Sequence, residues 1–232
     1  MRRAWPAAGS ATWLAAALLL AAGCAGAPPA RVPDLWEVKR ELTEYVASGR
    51  YEAGVAAVAG EARAHLAERA RAGGKLALVL DIDETSLSNL IPLQASDYGR
   101  IIDGPCDLPR GPCGMLAWIR LARAPALAPV AELAATARER GVAVFFISGR
   151  PESVRAPTEQ NLRAQGFEWT AVLLQPDGFH SASAVAFKAP ARQRIIAQGY
   201  AIIANVGDQW SDLDGGYAER TFKLPNPFYF IP

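Results

Sequence analysis

Four short apolar runs limit what this chain can fold into: LALVL from Leu76, VAVFFIS from Val142, WTAVLL from Trp169 and YAIIANV from Tyr200. Each has the length of a strand, is rich in branched or aromatic side chains, and lacks the polar alternate face of a half-wet strand. Such strands are covered on both sides. Helix-like segments separate them at residues 129–140, 152–165 and 190–198, closed by Gly141, Gly166 and Gly199. Strand and helix taking turns predicts an α/β fold, a three-layer doubly wound parallel sheet. An Ala-rich N-terminal helical segment precedes it from Leu35 to about Ala72, broken near Ser48 and Gly49 and stopped by Gly73 and Gly74.

The first run continues as LALVLDIDETSLSN, so a buried strand ends in Asp81, Asp83 and Glu84, which packing alone does not require. The second ends in FFISGR with Ser148 and Gly149, and the last in NVGDQWSDLDGG with Asp208 and Asp212. FKAPAR, ahead of the last strand, opens a helix with Lys188. In open parallel sheets ligands bind beyond the carboxyl ends of the strands, where all of these segments would converge. Four carboxylates, a hydroxyl and one ammonium would then share a small volume, a crowd that a cation relieves. Oxygen donors without a His or Cys cluster favour Mg²⁺. His65 and His180 are the only histidines, too few for a His-based zinc or iron site, and His180 reads as a loop residue. If the chain is still extended, residues 81 and 83 face the same way. One carboxylate could then attack while the other handles a proton. Mg²⁺, Lys188 and Ser148 with its neighbouring amides would compensate charge.

Roughly forty residues separate Asp83 from Leu127, too many for a simple crossover, which suggests a cap inserted at about residues 86–126. Within it, GPCDLPRGPCG holds Cys106 and Cys113. In an oxidising compartment these could close a small disulfide loop; two free thiols are the other reading.

The chain opens MRRAWPAAGSATWLAAALLLAAGC. Two arginines, an apolar stretch well short of the ~20 residues that span a bilayer, and small residues before Cys24 read as an export signal over residues 1–23. LLLAAGC resembles the bacterial lipoprotein processing box, with Ala21 where Leu is more usual. On that reading Cys24 is the lipidated first residue of the mature chain, 24–34 is a tether, and 35–232 is the folded domain. The protein is then exported, facing the periplasm or the cell surface as an outer-membrane lipoprotein, with the membrane met only through its lipid. A soluble secreted protein is the plainer alternative. With 24 basic and 23 acidic residues there is no charge excess of the kind that binds nucleic acid.

LDIDETSLSN, FISGRPESVRAPTEQNL, FKAPAR and NVGDQWSDL, in this order, resemble the four motifs of the haloacid-dehalogenase-like superfamily. More narrowly, they are similar to its acid phosphatase branch: plant acid phosphatases, vegetative storage proteins and bacterial lipoprotein acid phosphatases. APALAP and the terminal FKLPNPFYFIP extend the likeness. The resemblance implies that Asp81 is a nucleophile and Mg²⁺ ligand, and that Asp83 is the general acid and base and gives its carbonyl to the metal. It makes Ser148, Gly149 and Lys188 phosphate-binding, Asp208 a metal ligand, and Asp212 its supporting partner. The expected activity is hydrolysis of small phosphomonoesters, with nucleoside monophosphates as a family-based guess and an acid-leaning pH profile. A non-catalytic surface or storage protein of the same fold and a phosphotransferase are the alternatives.

Other residues read more plainly. Arg150 and Arg155 are helix-end residues, with phosphate or ion-pair roles unranked. Trp210 would wall the site, and Asn89 would cap a turn near the cap hinge. Tyr98 and Trp118 would pack cap against core, or else stack on an aromatic leaving group.

Overall fold

The computed structural model describes Met1 and residues 31–232, so the expected export signal, Cys24 and most of the tether lie outside the described residues. From Leu35 onward the chain forms one compact unit. Its sheet has five parallel strands: β1 (Leu76–Leu80), β2 (Ala143–Pro151), β3 (Ala171–Gln175), β4 (Ala201–Gly207) and β5 (Thr221–Lys223), in the order β3-β2-β1-β4-β5. The chain winds outward from β1 in both directions, as a doubly wound sheet does. β5, only three residues long, lacked a periodic signal in the sequence.

The side-chain period of two divides each central strand between two cores. Leu76, Leu78 and Leu80 face a core shared with α2 (Arg50–Arg69), α5 (Ala128–Glu139) and α6 (Arg155–Ala164). Ala77 and Val79 face the other way, onto Phe187, Ala191 and Ile195 of α7 (Val185–Ala197). This two-sided burial is why the strands read as unbroken apolar runs. Gly141 and Gly166 end α5 and α6 at φ of 70° and 80°, a conformation that costs other residues a clash.

The N-terminal segment forms two helices of different standing. α1 (Leu35–Ala47) has no buried residue, whereas α2 buries Tyr51, Val55, Ala59, Ala62 and Leu66 in the main core. α7 begins at Val185, five residues before the expected start, with Pro190 inside it. Proline removes one backbone hydrogen bond there. Burial of Phe187, Lys188 and Ala189 just ahead of it holds the helical path, so Lys188 is the helix's fourth residue.

Between β1 and α5 lies the cap, with α3 (Leu90–Ala95), α4 (Met115–Leu121) and a turn closed by the Cys106–Cys113 disulfide. Its two ends meet. Leu87 and Ala126 form an isolated antiparallel bridge, and the Leu127 amide donates to the Ser86 carbonyl at 3.0 Å. Asn161 on α6 anchors the returning end, accepting from the Ala124 amide at 3.0 Å and donating to its carbonyl at 2.8 Å.

Leu66 is fully buried on α2. Leu66→Ala is therefore expected to cost about 2–5 kcal/mol, the range for a core leucine. Urea denaturation measures it; a cost near zero would make α2 an appendage.

Candidate active site

Because the strands are parallel, β1, β2 and β4 deliver their carboxyl ends to one edge. The Asp81 amide still pairs with the Val206 carbonyl at 3.0 Å, so Asp81 is held in line with β4 just past the end of β1. Asp208 follows the last residue of β4. Asp212 sits in α8 (Trp210–Leu213), the single turn after it. One carboxylate oxygen from each of Asp81, Asp208 and Asp212 lies within 4.8 Å of the others, and all three residues are buried. Lys188 reaches in from the α7 side, its Nζ 2.5 Å from Asp81 Oδ1 and 2.5 Å from Asp212 Oδ1.

Each acid is fixed by its own neighbours. Asp208 accepts from Thr85 Oγ1 at 3.1 Å, Gln209 Nε2 at 2.7 Å and Asn226 Nδ2 at 2.6 Å. Asp212 accepts from the Gln209 amide at 2.8 Å, and its own carbonyl accepts from Asn205 Nδ2 and Arg192 Nη1. A Cβ on Gly207 would stand 2.4 Å from Asp212 Cβ, so only glycine lets the Asp212 side chain lie against β4. The Asp83 side chain stands apart from the triad. It accepts Arg150 Nη2 on Oδ1 at 2.7 Å, Arg150 Nε on Oδ2 at 3.0 Å, and Asn89 Nδ2 on Oδ1 at 2.7 Å.

The charges separate the acids. Burial pushes Asp81 well above the ordinary carboxylate range, Lys188 pulling against it and Asp212 and Asp208 adding to it. Asp208 is raised by burial and by Asp212. Burial would lower Lys188, but Asp212 and Asp81 outweigh that and keep it an ammonium. One cation does not compensate three buried carboxylates. Burial also pushes Asp83 up, yet the Arg150 charge and hydrogen bonds prevail and hold it below its usual value. Glu84 is pushed up to about 7, by burial first and by Asp83 second.

A cavity of about 290 Å³ opens over these groups, with Asp81, Asp83, Ser148, Gly149, Lys188, Asp208 and Asp212 all on its lining. The fold therefore brings together the catalytic, phosphate-binding and metal-binding candidates read from the four motifs. It sets Asp212 among the clustered oxygens beside Asp81 and Asp208, and ties the Asp83 side chain to Arg150. The remaining residues find other places. Trp210, expected to wall the site, is 58% exposed beside Lys223, because the α8 turn aims it outward. Arg155 pairs with Glu152 and Glu159. Tyr98 stacks on Phe228, and Trp118 Nε1 donates to Asn89 Oδ1 at 3.0 Å. His180 is exposed, and His65 hydrogen-bonds the Ile203 carbonyl.

A buried support around these groups was only partly visible in the sequence. Arg150 also donates to Thr158, and Asn89 joins Asp83, Glu84 and Trp118. The Tyr229 hydroxyl donates to Glu84, and Asn226 and Tyr229 come from the C-terminal tail. Glu84 itself is fully buried at a φ of +50°, a backbone state uncommon outside glycine. Three acids within DIDET hinted at Glu84; nothing local marks the tail residues, because their partners are more than a hundred positions away or on another element.

Comparison with known proteins follows the same lines. The chain is 34% identical over 160 residues to acid phosphatase 1 of Solanum lycopersicum, covering 68% of this chain and 60% of that protein. It is 33% identical over 156 residues to vegetative storage protein 1 of Arabidopsis thaliana, covering 66% and 55%. The chain thus spans about 60% or less of the length of these curated relatives. The fold is that of the class C acid phosphatase from Bacillus anthracis, with a TM-score of 0.63 at 21% identity over 83% of this chain and 86% of that one. The family model of the HAD superfamily, subfamily IIIB (acid phosphatase), matches residues 29–232. By that match over nearly its whole length, and by the fold and motif order that agree with it, the chain belongs to the HAD superfamily, subfamily IIIB.

Proposed function

We propose that this protein is a Mg²⁺-dependent acid phosphatase that hydrolyses small phosphomonoesters through an aspartyl-phosphate on Asp81. One observation carries the reading: Asp81, Asp208 and Asp212 crowd their oxygens within 4.8 Å while Lys188 bridges two of them. The donor set fits a hard divalent cation, being all oxygen and richer in negative than positive charge. Asp81, Asp208 and Asp212, with the Asp83 carbonyl, would hold it. When bound, Mg²⁺ supplies positive charge to the carboxylates and the phosphate oxygens.

The chain's own groups account for the rest. Asp81 attacks phosphorus, the bond from phosphorus to the ester oxygen breaks, and the departing alkoxide takes a proton from Asp83 in its protonated form, which Arg150 disfavours and acid pH populates. Asp83 then removes a proton from water, which attacks the same phosphorus; phosphate leaves and Asp81 is restored. Arg150 and Asn89 hold Asp83 by three hydrogen bonds, so its carboxyl keeps one orientation through both steps. Lys188 and the Ser148 hydroxyl face the transferring group from the cavity lining.

A non-catalytic role is the second reading, favoured by the likeness to a protein named for storage. The export signal, with lipidation at Cys24, belongs to this proposal on sequence grounds. No helix among the described residues is long and apolar enough to cross a membrane.

Three outcomes are expected. Phosphate release from a panel of small esters stops with chelator and returns with Mg²⁺, and Asp81→Asn lowers kcat on the order of 10⁴-fold; a folded protein inert toward every ester with Mg²⁺ would favour storage. Arg150→Lys, which cannot reproduce a two-pronged contact, lowers kcat about 10²-fold with little change in KM. A KM effect alone would assign Arg150 to substrate binding instead. Intact mass of the mature chain begins at a lipid-bearing Cys24, and an unmodified N-terminus would refute the anchor.

A further inference from the structure

After β5 the chain forms no further helix or strand, yet it is pinned on both sides of Asn226. Before that residue, the Leu224 amide donates to the Gly207 carbonyl at 2.9 Å. A Cβ on Gly54 of α2 would crowd Pro225 Cγ at 3.2 Å, so the tail lies close against that helix. After it, Phe228 is buried edge-on to Tyr51 of α2, with ring centroids 5.1 Å apart. The Ile231 amide then donates to Gln209 Oε1 at 3.1 Å, and the Ile231 carbonyl accepts from Ser211 Oγ at 2.8 Å.

The tail thereby orients two side-chain amides. Asn226 Oδ1 accepts from the Phe228 amide at 2.8 Å and the Tyr229 amide at 3.4 Å, which turns Nδ2 towards Asp208, where it donates to Oδ2 at 2.6 Å. Gln209 Oε1 is held by the Ile231 amide, and Gln209 Nε2 donates to the same Oδ2 at 2.7 Å. An amide oxygen only accepts and an amide nitrogen only donates, so reversing either group would break its contacts at both ends. A carboxylate oxygen offers about two lone-pair sites. Oδ2 of Asp208 has both filled, whereas Oδ1 takes only Thr85 Oγ1, at 3.1 Å, among the described residues. Both amides are neutral, so they fix the direction of the carboxylate and leave its charge standing.

We propose that Asn226 is a positioning residue for the cation: with Gln209 it ties down Oδ2 of Asp208, so that Asp208 meets the ion through Oδ1 alone and is turned to it before the ion arrives. This deepens the reading of the acids as a Mg²⁺ site and rests on it. A carboxylate held in place beforehand loses no rotamer freedom when the ion binds, and partners of this outer kind set metal affinity although they never touch the metal. The tail, more than a hundred positions from Asp81 in the chain, thus becomes part of the site through one side-chain amide.

The test is calorimetric titration of Mg²⁺ into the metal-free chain, for the wild type, Asn226→Ser and Phe228→Leu. Serine can still accept from the amide two residues on, which keeps the turn, but it has no donor that reaches Asp208. Phe228→Leu loosens the packing on Tyr51 and keeps the Asn226 amide. Kd for Mg²⁺ should rise about 10–100-fold in Asn226→Ser, while Phe228→Leu lowers Tm and leaves Kd unchanged. An unchanged Kd in Asn226→Ser, or an equal rise in both variants, overturns the proposal and leaves the Mg²⁺ site standing; a wild type that binds no Mg²⁺ refutes the site itself. If Asn226→Ser does not fold, wild-type crystals soaked with Mn²⁺ decide: an ion on Oδ1 of Asp208, with Oδ2 still on Asn226 and Gln209, supports the assignment, and an ion on Oδ2 or on both oxygens overturns it.

Discussion

The contact on which the site depends is that of the Lys188 ammonium with two buried carboxylates, Asp81 and Asp212, at 2.5 Å each. Removing three acids from water without compensation would cost far more than a small domain's margin of stability. Lys188 meets part of that demand, and the amides and hydroxyl around Asp208 another part. The charge left over defines the chemistry. On the proposed reading, a site that holds excess negative charge in a buried pocket would be completed by a divalent cation, with Asp81 then serving as nucleophile.

Parallel topology makes the arrangement attainable. Asp81 and Asp208 directly follow adjacent strands, and Ser148 lies in the strand on the other side of β1, so one register fixes three groups at one edge. Lys188 comes from the helix on one face of the sheet, while Thr85, Asn226 and Tyr229 close in from loops and the tail. The same alternation that divides Leu78 from Val79 between two cores therefore also decides from which side charge compensation can come.

The cap contributes in two ways. Trp118 on α4 donates to Asn89, and Asn89 donates to Asp83, so the position of the cap helix is linked to the orientation of the proposed proton donor through two hydrogen bonds. The neighbouring Met115, Leu116 and Ile119 line the cavity. One short helix thus touches both the support of Asp83 and the lining of the cavity.

Much of this was legible in the chain itself. Unbroken apolar runs spelled out a sheet buried on both sides, glycines marked the helix ends, and acids at strand ends named Asp81, Asp83, Asp208 and Asp212 as companions. Those are local signals, set by periodicity and by the incompatibility of charge with a dry core. Where the sequence fell short, the deciding interaction was long-range. The burial that carries α7 through Pro190 depends on the sheet packed against it, β5 is too short to have a period, and Arg150, read as a helix-end residue, lies in β2 with Asp83 opposite it. Residue types and order determined which charges the protein must hold; only the folded chain decided which partner each one meets, because a buried ion pair is defined by what desolvates together, and that is a property of packing.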